Sequence, residues 1–423
     1  MHDFKYINNQ LCCEKVKIAD LARRFGTPLY VYSYDTLISH YTKLEEALAE
    51  VNPLICYSMK ANSNLAIIRA LVREGAGLDI VSGGELYRAR AAGADPKKIV
   101  FAGVGKTAAE IDGALKEGIL FFNSESIAEI QMIDARAGAL RKNPNVAVRV
   151  NPDIEAGPHR YISTGGKYNK FGLGLNTARW IFLNSGKFPN VRLRGVHVHI
   201  GSQITDARPF VNAVRRVRDF ILGLQRLGVK IEYFNVGGGL GIIYENERPQ
   251  TAADYAAAIT PILKDMGLKI IMEPGRFVMG NAGILVTRVV YLKETKAKYF
   301  IIVDAGMNDL VRPALYKAYH EIVPVRCVQG SRFKVQGKKF DVVGPICESG
   351  DFFAHDRKMA EPCQGDLLAV MGAGAYGFSM SSNYNSRPRA CEVMVSKKDF
   401  YEIRKRERYA DLVDQESIPE FLK

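Results

Sequence analysis

Apolar positions between residues 54 and 273 form short continuous runs that alternate with longer amphipathic segments. Such runs are typical of strands that are buried on both faces. Eight of them occur: Leu54–Lys60, Gly77–Ser82, Lys98–Ala102, Ile119–Asn123, Val146–Asn151, Leu193–Ile200, Ile231–Val236 and Leu268–Glu273. Segments with helical spacing separate them, for example Leu65–Glu74, Ala108–Glu117 and Pro209–Leu227, and Tyr34–Glu50 supplies a further helix before the first run.

Strict alternation of strands and helices predicts a parallel sheet with right-handed crossovers. Eight such strands are the number that closes a TIM-type barrel. We therefore predict a (β/α)8 barrel over residues 34–280, with an open doubly wound sheet as the alternative.

The pattern changes after Arg276, where helical spacing fades. Stretches rich in β-branched and aromatic residues follow, separated by Gly and Pro turns: Gly283–Leu292, Tyr299–Asp304, Lys339–Val343 and Leu367–Met371. Strand-like residues also occur at Leu29–Tyr32. We predict a second, mostly β domain, a sandwich or barrel, formed by residues 1–33 and 281–423.

One connection, from Asn151 to about Asn176, is unusually long for a compact domain and contains Gly157-Pro158-His159 and Thr164-Gly165-Gly166. Loops of this length are often lids or binding loops, and disorder is the alternative.

Composition is consistent with two packed domains, since 423 residues exceed the usual size of one core and 47% of them are hydrophobic. The chain lacks an apolar run of about 18 residues and begins with a polar segment, so we expect a cytoplasmic protein without membrane partners. Seven cysteines without a CxxC pair suit a reducing compartment.

The formal charge of +13 is spread along the chain. The densest basic run, Arg404–Arg408, has a helical pattern. Because no nucleic-acid recognition motif accompanies the charge, we expect no nucleic-acid partner. A basic barrel mouth that binds anionic small molecules explains the charge as well.

Chemistry in a TIM barrel collects where strands end, so the end of each predicted strand is informative. The first ends at Lys60, either a solvated terminus or a lysine that forms a Schiff base with an aldehyde cofactor. The second carries Asp79 and the fifth Arg149. The sixth places His197 and His199 on one face; a metal pair lacks a third ligand, so we predict no metal and favour an imidazole lying on a flat cofactor ring.

The last two predicted strands run into glycine-rich turns, Gly237–Gly241 and Glu273-Pro274-Gly275-Arg276. TIM barrels commonly bind phosphate at this position, where glycine lets backbone N–H groups approach the anion. A lysine, a stacking ring, a phosphate cradle and an acid at one rim fit pyridoxal 5'-phosphate. An acid that faces its pyridine nitrogen keeps that nitrogen protonated.

Seven motifs in order resemble the alanine-racemase-fold family of pyridoxal enzymes, which includes ornithine, arginine and diaminopimelate decarboxylases. They are YSMKAN, GLDIVSGGEL, HVHIGSQ, NVGGGLG, EPGR, CESGD and GAYGFSMSSNYNSRPRA, and the resemblance that they carry extends over nearly the whole chain.

The resemblance implies roles for individual residues. Lys60 would bind the cofactor aldehyde, His199 would stack on the ring and Glu273 would face the pyridine nitrogen. The other implied cofactor-binding residues are Asp79, Arg149, Ser202, Gly238, Gly239, Gly275, Arg276 and Tyr376.

The resemblance also implies a homodimer with shared active sites, in which the β domain of a partner subunit supplies a cysteine, here Cys347, that protonates the product carbanion. The implied substrate-binding residues are Arg276, Arg312, Tyr316, Glu348 and Tyr376.

Smaller features resemble the diaminopimelate branch: Arg312–Tyr316, the glutamate after Cys347, and His159–Gly165. Ornithine enzymes usually carry aspartate in place of Glu348. The implied reaction is decarboxylation of meso-diaminopimelate to lysine, the last step of lysine biosynthesis. The alternatives are a polyamine-pathway decarboxylase acting on ornithine, arginine or carboxynorspermidine, and a non-catalytic regulator, against which the retained Lys60 and Cys347 argue.

Overall fold

A computed structural model of the protein describes residues 2–154, 170–326 and 338–423. The chain divides into two compact units. One comprises Ile38–Val278, and the other comprises Met1–Leu37 together with Met279–Lys423. The predicted lid segments around His159 and Thr164 lie outside the described residues.

In chain order, the N-terminal part contains β1 (Phe4–Ile7), β2 (Gln10–Cys13), β3 (Val16–Lys17), α1 (Ile18–Phe25), β4 (Leu29–Ser33) and α2 (Tyr34–Ala47). The central part contains β5 (Leu54–Ser58), α3 (Leu65–Arg73), β6 (Gly77–Ile80), α4 (Gly83–Ala91), β7 (Ile99–Phe101), α5 (Ala108–Glu117), β8 (Phe121–Ser124), α6 (Ile127–Ala139), β9 (Asn145–Val150), α7 (Leu175–Leu183), β10 (Arg192–Val198), α8 (Ala207–Arg226), β11 (Tyr233–Asn235), α9 (Ala252–Leu263), β12 (Lys269–Met272) and α10 (Arg276–Met279).

The C-terminal part contains β13 (Gly283–Glu294), β14 (Tyr299–Val303), α11 (Arg312–Tyr316), β15 (Ile322–Pro324), β16 (Lys339–Val343), β17 (Phe352–Lys358), β18 (Leu367–Val370), β19 (Cys391–Ser396), β20 (Asp399–Arg404) and α12 (Tyr409–Val413). Short 3-10 turns lie at Met59–Ala61, Pro96–Lys98, Ser185–Lys187, Lys264–Met266, Gly280–Ala282, Phe378–Met380, Tyr384–Ser386 and Glu420–Leu422.

Strands β5 to β12 close into a parallel eight-stranded barrel in sequence order, with β12 paired to β5. The predicted barrel is confirmed, and the open doubly wound sheet is wrong. The observed strands are shorter than the predicted runs because their last residues leave the hydrogen-bonded ladder. Lys60, for example, lies in the 3-10 turn Met59–Ala61 rather than in β5.

Local sequence explains where the barrel helices begin and end. Thr107 and Glu110 form a capping box at the start of α5, and Gly118 ends that helix in the left-handed conformation with φ of 65°. Helix α8 buries a stripe of apolar side chains that recur every three or four residues, and this stripe faces the rest of the unit.

The barrel interior has an apolar layer formed by Cys56, Val100, Phe121, Ala147 and Ile271, all buried. Side chains alternate between the two faces of a strand, so the next inward position on each strand lies two residues later. On most of the strands that position is polar.

The second unit is mostly β, as predicted. Its main sheet runs β17-β16-β14-β13-β4-β19-β20, with β18 paired to β13 and β15, while β1, β2 and β3 form a small antiparallel sheet. The N-terminal strand β4 lies between β13 and β19 in this main sheet, which agrees with the strand-like pattern at Leu29–Tyr32. Its buried core includes Ile18, Leu21, Val31 and Val286.

The helical interpretation of Arg404–Arg408 is wrong. Arg404 ends the strand β20, which pairs with β19, and the next helix begins only at Tyr409. Tertiary strand pairing overrides the local helical spacing in this segment. Within the described part of the chain, no helix is long and apolar enough to span a membrane.

Candidate active site

A buried polar layer lies directly above the apolar layer of the barrel. Each member follows an inward-facing strand position by two residues, and each is at most 6% exposed. The members are Ser58, Asp79, Asn123, Arg149, His197, Asn235 and Glu273. Barrel interiors are usually filled by branched apolar side chains. Seven polar groups at this depth therefore indicate a functional site.

Glu273 is the acid of this layer whose carboxylate contacts three polar side chains. Its Oε1 accepts hydrogen bonds from Asn123 Nδ2 at 2.9 Å and from Asn235 Nδ2 at 2.6 Å, and His197 Nε2 lies 3.2 Å from its Oε2. Burial raises the pKa of Glu273, but His197 and then Lys60 oppose that effect, and the net pKa is lowered. Glu273 is therefore held as a carboxylate.

Asp79 is the second buried carboxyl group of the layer. Ser58 donates a 2.6 Å hydrogen bond to Asp79 Oδ2, and Lys60 Nζ lies 3.5 Å from the same oxygen. Burial, followed by the negative charge of Glu273, raises the pKa of Asp79 to about 6. The Lys60 side chain is 38% exposed, so its amine is accessible from the barrel rim.

The glycine-rich turn after β11 is tied to the same acid. Asn235 donates to Glu273 through Nδ2 and accepts from Gly237 N through Oδ1 at 2.9 Å. A Cβ at Gly238 would collide with the carbonyl oxygen of Glu273, and Gly239 has φ of 115°, which other residues rarely adopt. The turn thus requires glycine for close approach and for backbone conformation.

His199 is half-buried and lies beside this turn. Its Nδ1 accepts a 3.1 Å hydrogen bond from Gly238 N, so the proton of the neutral ring is on Nε2. Burial, together with the charges of Lys60 and Arg149, lowers the pKa of His199 well below its usual 6.5. A neutral, oriented imidazole of this kind suits stacking against a flat ring.

Arg276 lies at the start of α10 and is 7% exposed. Its Nη2 donates to Ser202 Oγ at 3.0 Å, and its Nη1 donates to Tyr244 Oη at 2.7 Å. Gly275 precedes it and packs closely against Ser58 and Ala61. The structure therefore brings the predicted phosphate-binding residues Ser202, Gly275 and Arg276 to the same end of the barrel as Lys60.

Arg149 is held by a buried ion pair, with Nη1 2.8 Å from Glu125 Oε1. Its Nη2 donates to the carbonyl oxygen of His199 at 3.4 Å. A second buried pair joins Lys106 and Glu129 at 2.6 Å, and Glu129 also accepts from Glu125 N at 2.8 Å. This network fixes Arg149 at the barrel rim and links it to His199.

The other predicted residues lie in the β unit, on three segments that are joined by hydrogen bonds. Asp351 accepts from Met307 N at 2.6 Å and from Ile346 N at 2.6 Å. Asn385 Oδ1 accepts from Cys347 N at 3.1 Å. In addition, Ser382 N donates to Asn308 O at 2.9 Å, so the segments around residues 308, 347 and 382 are linked directly to one another.

The β unit, which contains these linked segments, carries the remaining predicted site residues. Cys347 and Glu348 are exposed, Tyr316 is half-buried, and Arg312 is 5% exposed at the start of α11. Tyr376 has φ of 57°, which is uncommon for a bulky side chain and is often found at functional sites.

The barrel residues fit pyridoxal 5'-phosphate on the geometry alone. A carboxylate supported by two amides suits a protonated pyridine nitrogen, a buried arginine and a close-packed glycine turn suit a phosphate, and an accessible amine suits an aldehyde. Asp79 Oδ1 is also buried without a hydrogen-bond partner among the described residues, which leaves an acceptor available in this layer.

Asn123, Asn235 and Ser58 were not singled out in the sequence, and His197 was considered only as a metal ligand. His197 and His199 instead have separate partners, Glu273 and Gly238. The available signal was the two-residue period of each strand, which extends the inward face one step beyond the last apolar residue.

Comparisons with known proteins agree with this geometry. Residues 34–280 match the family model described as "Pyridoxal-dependent decarboxylase, pyridoxal binding domain". The diaminopimelate decarboxylase of Vibrio cholerae is 46% identical over 412 residues, which are 97% of each chain.

Two solved structures are also similar. Diaminopimelate decarboxylase from M. jannaschii in co-complex with L-lysine has a TM-score of 0.93 and 39% identity, and the match covers 100% of both chains. The Helicobacter pylori enzyme complexed with L-lysine has a TM-score of 0.89 and 43% identity, covering 94% of this chain and 98% of that chain. The chain therefore belongs to the pyridoxal-dependent decarboxylases, and within them to the diaminopimelate decarboxylase family.

Proposed function

We propose that this protein decarboxylates meso-2,6-diaminopimelate to L-lysine and carbon dioxide, with pyridoxal 5'-phosphate as cofactor. The observation that carries the proposal is the buried Glu273 carboxylate, supported by two amides beneath the rim that bears Lys60. Near full-length similarity to diaminopimelate decarboxylases supports the substrate.

Bound pyridoxal phosphate supplies an electron sink for the electron pair that departing carbon dioxide leaves on the substrate Cα. Lys60 holds the cofactor aldehyde, and Glu273 keeps the proton on the pyridine nitrogen. His199 fixes the plane of the ring, while Arg276, Ser202 and the glycine turn bind the phosphate. These groups would hold the cofactor in one fixed orientation, so that the substrate is bound in a single position for reaction.

Cys347 then delivers a proton from its thiol to the substrate Cα, which completes the exchange of carbon dioxide for hydrogen. The thiolate that remains is reprotonated from solvent before the next turnover, so the donor is restored. The partner subunit of a homodimer contributes this cysteine, as the family resemblance implies, and the reaction takes place in the cytoplasm.

The distal end of diaminopimelate carries both an ammonium group and a carboxylate. Arg312 and Arg276 supply positive charge for the carboxylate, Glu348 supplies negative charge for the ammonium, and Tyr316 and Tyr376 supply hydroxyl groups. An analogue without the distal carboxylate cannot form the charge-assisted hydrogen bonds that these arginines offer, and sites built to bind such a group reject analogues lacking it by about 10⁴-fold.

The proposal is tested by carbon dioxide release from a panel of amino acids with and without added cofactor. We expect cofactor-dependent release from diaminopimelate and no measurable consumption of lysine or ornithine. Arg312→Ala should erode this preference, whereas the exposed helix-α8 variant Arg215→Ala, as control, should not. A kcat/KM ratio of diaminopimelate to ornithine near or below one would contradict the proposal and favour the polyamine-pathway alternative.

A further inference from the structure

His320 is a fully buried histidine whose two ring nitrogens have different partners. Nδ1 lies 2.8 Å from the carbonyl oxygen of Met371, and Nε2 lies 2.8 Å from Nη1 of Arg312. A carbonyl only accepts, so the ring proton is on Nδ1. A guanidinium only donates, so Nε2 must accept with its lone pair. The two contacts together require a neutral ring in one tautomer.

The backbone around His320 is fixed on both sides. Lys317 adopts a left-handed conformation with φ of 53°, and this turn brings the chain back from α11 so that His320 faces Arg312. Arg357 Nη1 donates to the carbonyl oxygen of His320 at 3.0 Å, and Met371 N donates to Glu321 O at 2.8 Å. The imidazole is thus held between a sheet and the helix that carries Arg312.

The chemistry of this contact differs from the usual way of orienting a buried arginine. A carboxylate partner would orient the guanidinium but cancel most of its charge, as Glu125 does for Arg149. A neutral imidazole orients the guanidinium by one hydrogen bond and adds no negative charge of its own beside it. Arg312 is 5% exposed, so that charge acts at a site with little water to screen it.

We propose that His320 is a positioning residue that aims the charged guanidinium of Arg312 at the distal carboxylate of the substrate. The inference rests on the proposed function and deepens it, because it assigns recognition of that one carboxylate to the pair of Arg312 and His320. It predicts that His320 affects ligands with a distal carboxylate and leaves ligands without one unaffected.

L-Lysine and cadaverine form a suitable ligand pair, because they differ only in that carboxylate. Their dissociation constants are measured on the cofactor-loaded protein from the change in cofactor absorbance, alongside KM and kcat for diaminopimelate. His320→Asn keeps a donor for Met371 O but removes the acceptor for Arg312. His320→Gln keeps an acceptor at the position of Nε2.

We expect His320→Asn to weaken lysine binding about 10-fold or more, the size expected for one hydrogen bond to a charged group, and to leave cadaverine within about 2-fold. KM for diaminopimelate should rise more than kcat falls. His320→Gln should retain most of the lysine affinity. His355→Gln, a variant of an exposed histidine in the same unit, serves as control and should bind both ligands as wild type does.

Equal effects of the Asn and Gln variants, or equal weakening of lysine and cadaverine, would overturn the inference, because a general structural role produces both. Unchanged lysine binding in both variants would also overturn it. Failure of the proposed function is distinguishable, since wild-type protein would then release no carbon dioxide from diaminopimelate whatever the variants do.

Discussion

Asp79 and Glu273 are two carboxyl groups in one buried layer, and their surroundings shift their pKa values in opposite directions. Burial raises the pKa of both, but the charges of His197 and Lys60 lower that of Glu273 overall, while the charge of Glu273 raises that of Asp79 further, to about 6. Environments that separate two acids in this way assign them different roles. Glu273 is the permanent anion, which suits the proposed partner of the pyridine nitrogen.

The raised pKa of Asp79 predicts a pH-dependent stability in the cofactor-free protein. The Asp79 carboxyl group binds its proton more tightly in the folded state than in the unfolded state. Asp79 therefore contributes stability that is fully present below about pH 3.8 and is lost as the pH rises through about 6. Asp79→Asn does not titrate. The stability of this variant relative to wild type should therefore increase between pH 4 and 7, by on the order of 2–3 kcal/mol, and level off above.

The measurement is the difference in Tm between the cofactor-free variant and wild type across this pH range. Asp399→Asn, at an exposed position, is the control and should show a flat difference. A difference for Asp79→Asn that is also flat, or that falls as pH rises, would contradict the assignment of a raised pKa to Asp79.

At the scale of elements, the barrel was predictable because its strands are buried on both faces and therefore appear as eight continuous apolar runs. Residues such as Lys60, His199 and Glu273 were found because they stand where those runs end. Asn123 and Asn235 were missed because an amide at the end of a strand resembles an ordinary strand terminus. Their importance depends on three strands converging on Glu273, which no local pattern contains.

The β unit shows the same limit. Hydrogen bonds that Asp351 and Asn385 accept join segments that lie far apart in sequence, and they link Cys347 to the segment leading to Arg312. The hydrophobic periodicity of the sequence predicts strands in this unit but does not predict these hydrogen bonds. The contact between His320 and Arg312 likewise depends on a left-handed turn at Lys317 that hydrophobic spacing does not indicate.

The glycine turn after β11 gives a prediction at this scale. In Gly238→Ala the added methyl group would collide with the backbone carbonyl of Glu273, so the turn and the end of β12 must separate. Backbone shifts of this kind cost on the order of 1–3 kcal/mol or more. We expect a lower Tm and a loss of most bound cofactor, because the turn that is proposed to bind the phosphate moves away.

Gly186→Ala is the matched control, because a Cβ there meets no atom within 4 Å and the backbone needs no left-handed conformation. Cofactor content is read from absorbance after gel filtration, and stability is read from Tm. Retention of wild-type cofactor content and Tm in Gly238→Ala would show that the turn tolerates a side chain, and that its glycine serves neither packing nor phosphate approach.

At the scale of the whole molecule, the groups assigned to the reaction are divided between the two units. Lys60, His199, Glu273 and Arg276 belong to the barrel unit, whereas Arg312, Cys347 and Tyr376 belong to the β unit. The proposed homodimer brings the β unit of one subunit to the barrel of the other. Each active site then requires an intact barrel from one chain and an intact β unit from its partner.

This arrangement predicts complementation between two inactive variants. Lys60→Ala removes the covalent anchor and Cys347→Ala removes the proton donor, so each homodimer should be inactive or nearly so. After the two are mixed in equal amounts and allowed to exchange, half of the dimers are mixed and each mixed dimer has one site with both wild-type residues. Activity should recover to about a quarter of wild type.

Two controls accompany this measurement. Lys60→Ala mixed with the double variant should recover no activity. Cys363→Ala, a variant of the other exposed cysteine of the described residues, should stay active. If exchange is confirmed by native mass spectrometry and no activity returns, Cys347 does not act across the dimer, because only a site built within one chain leaves every mixed dimer with both of its sites defective.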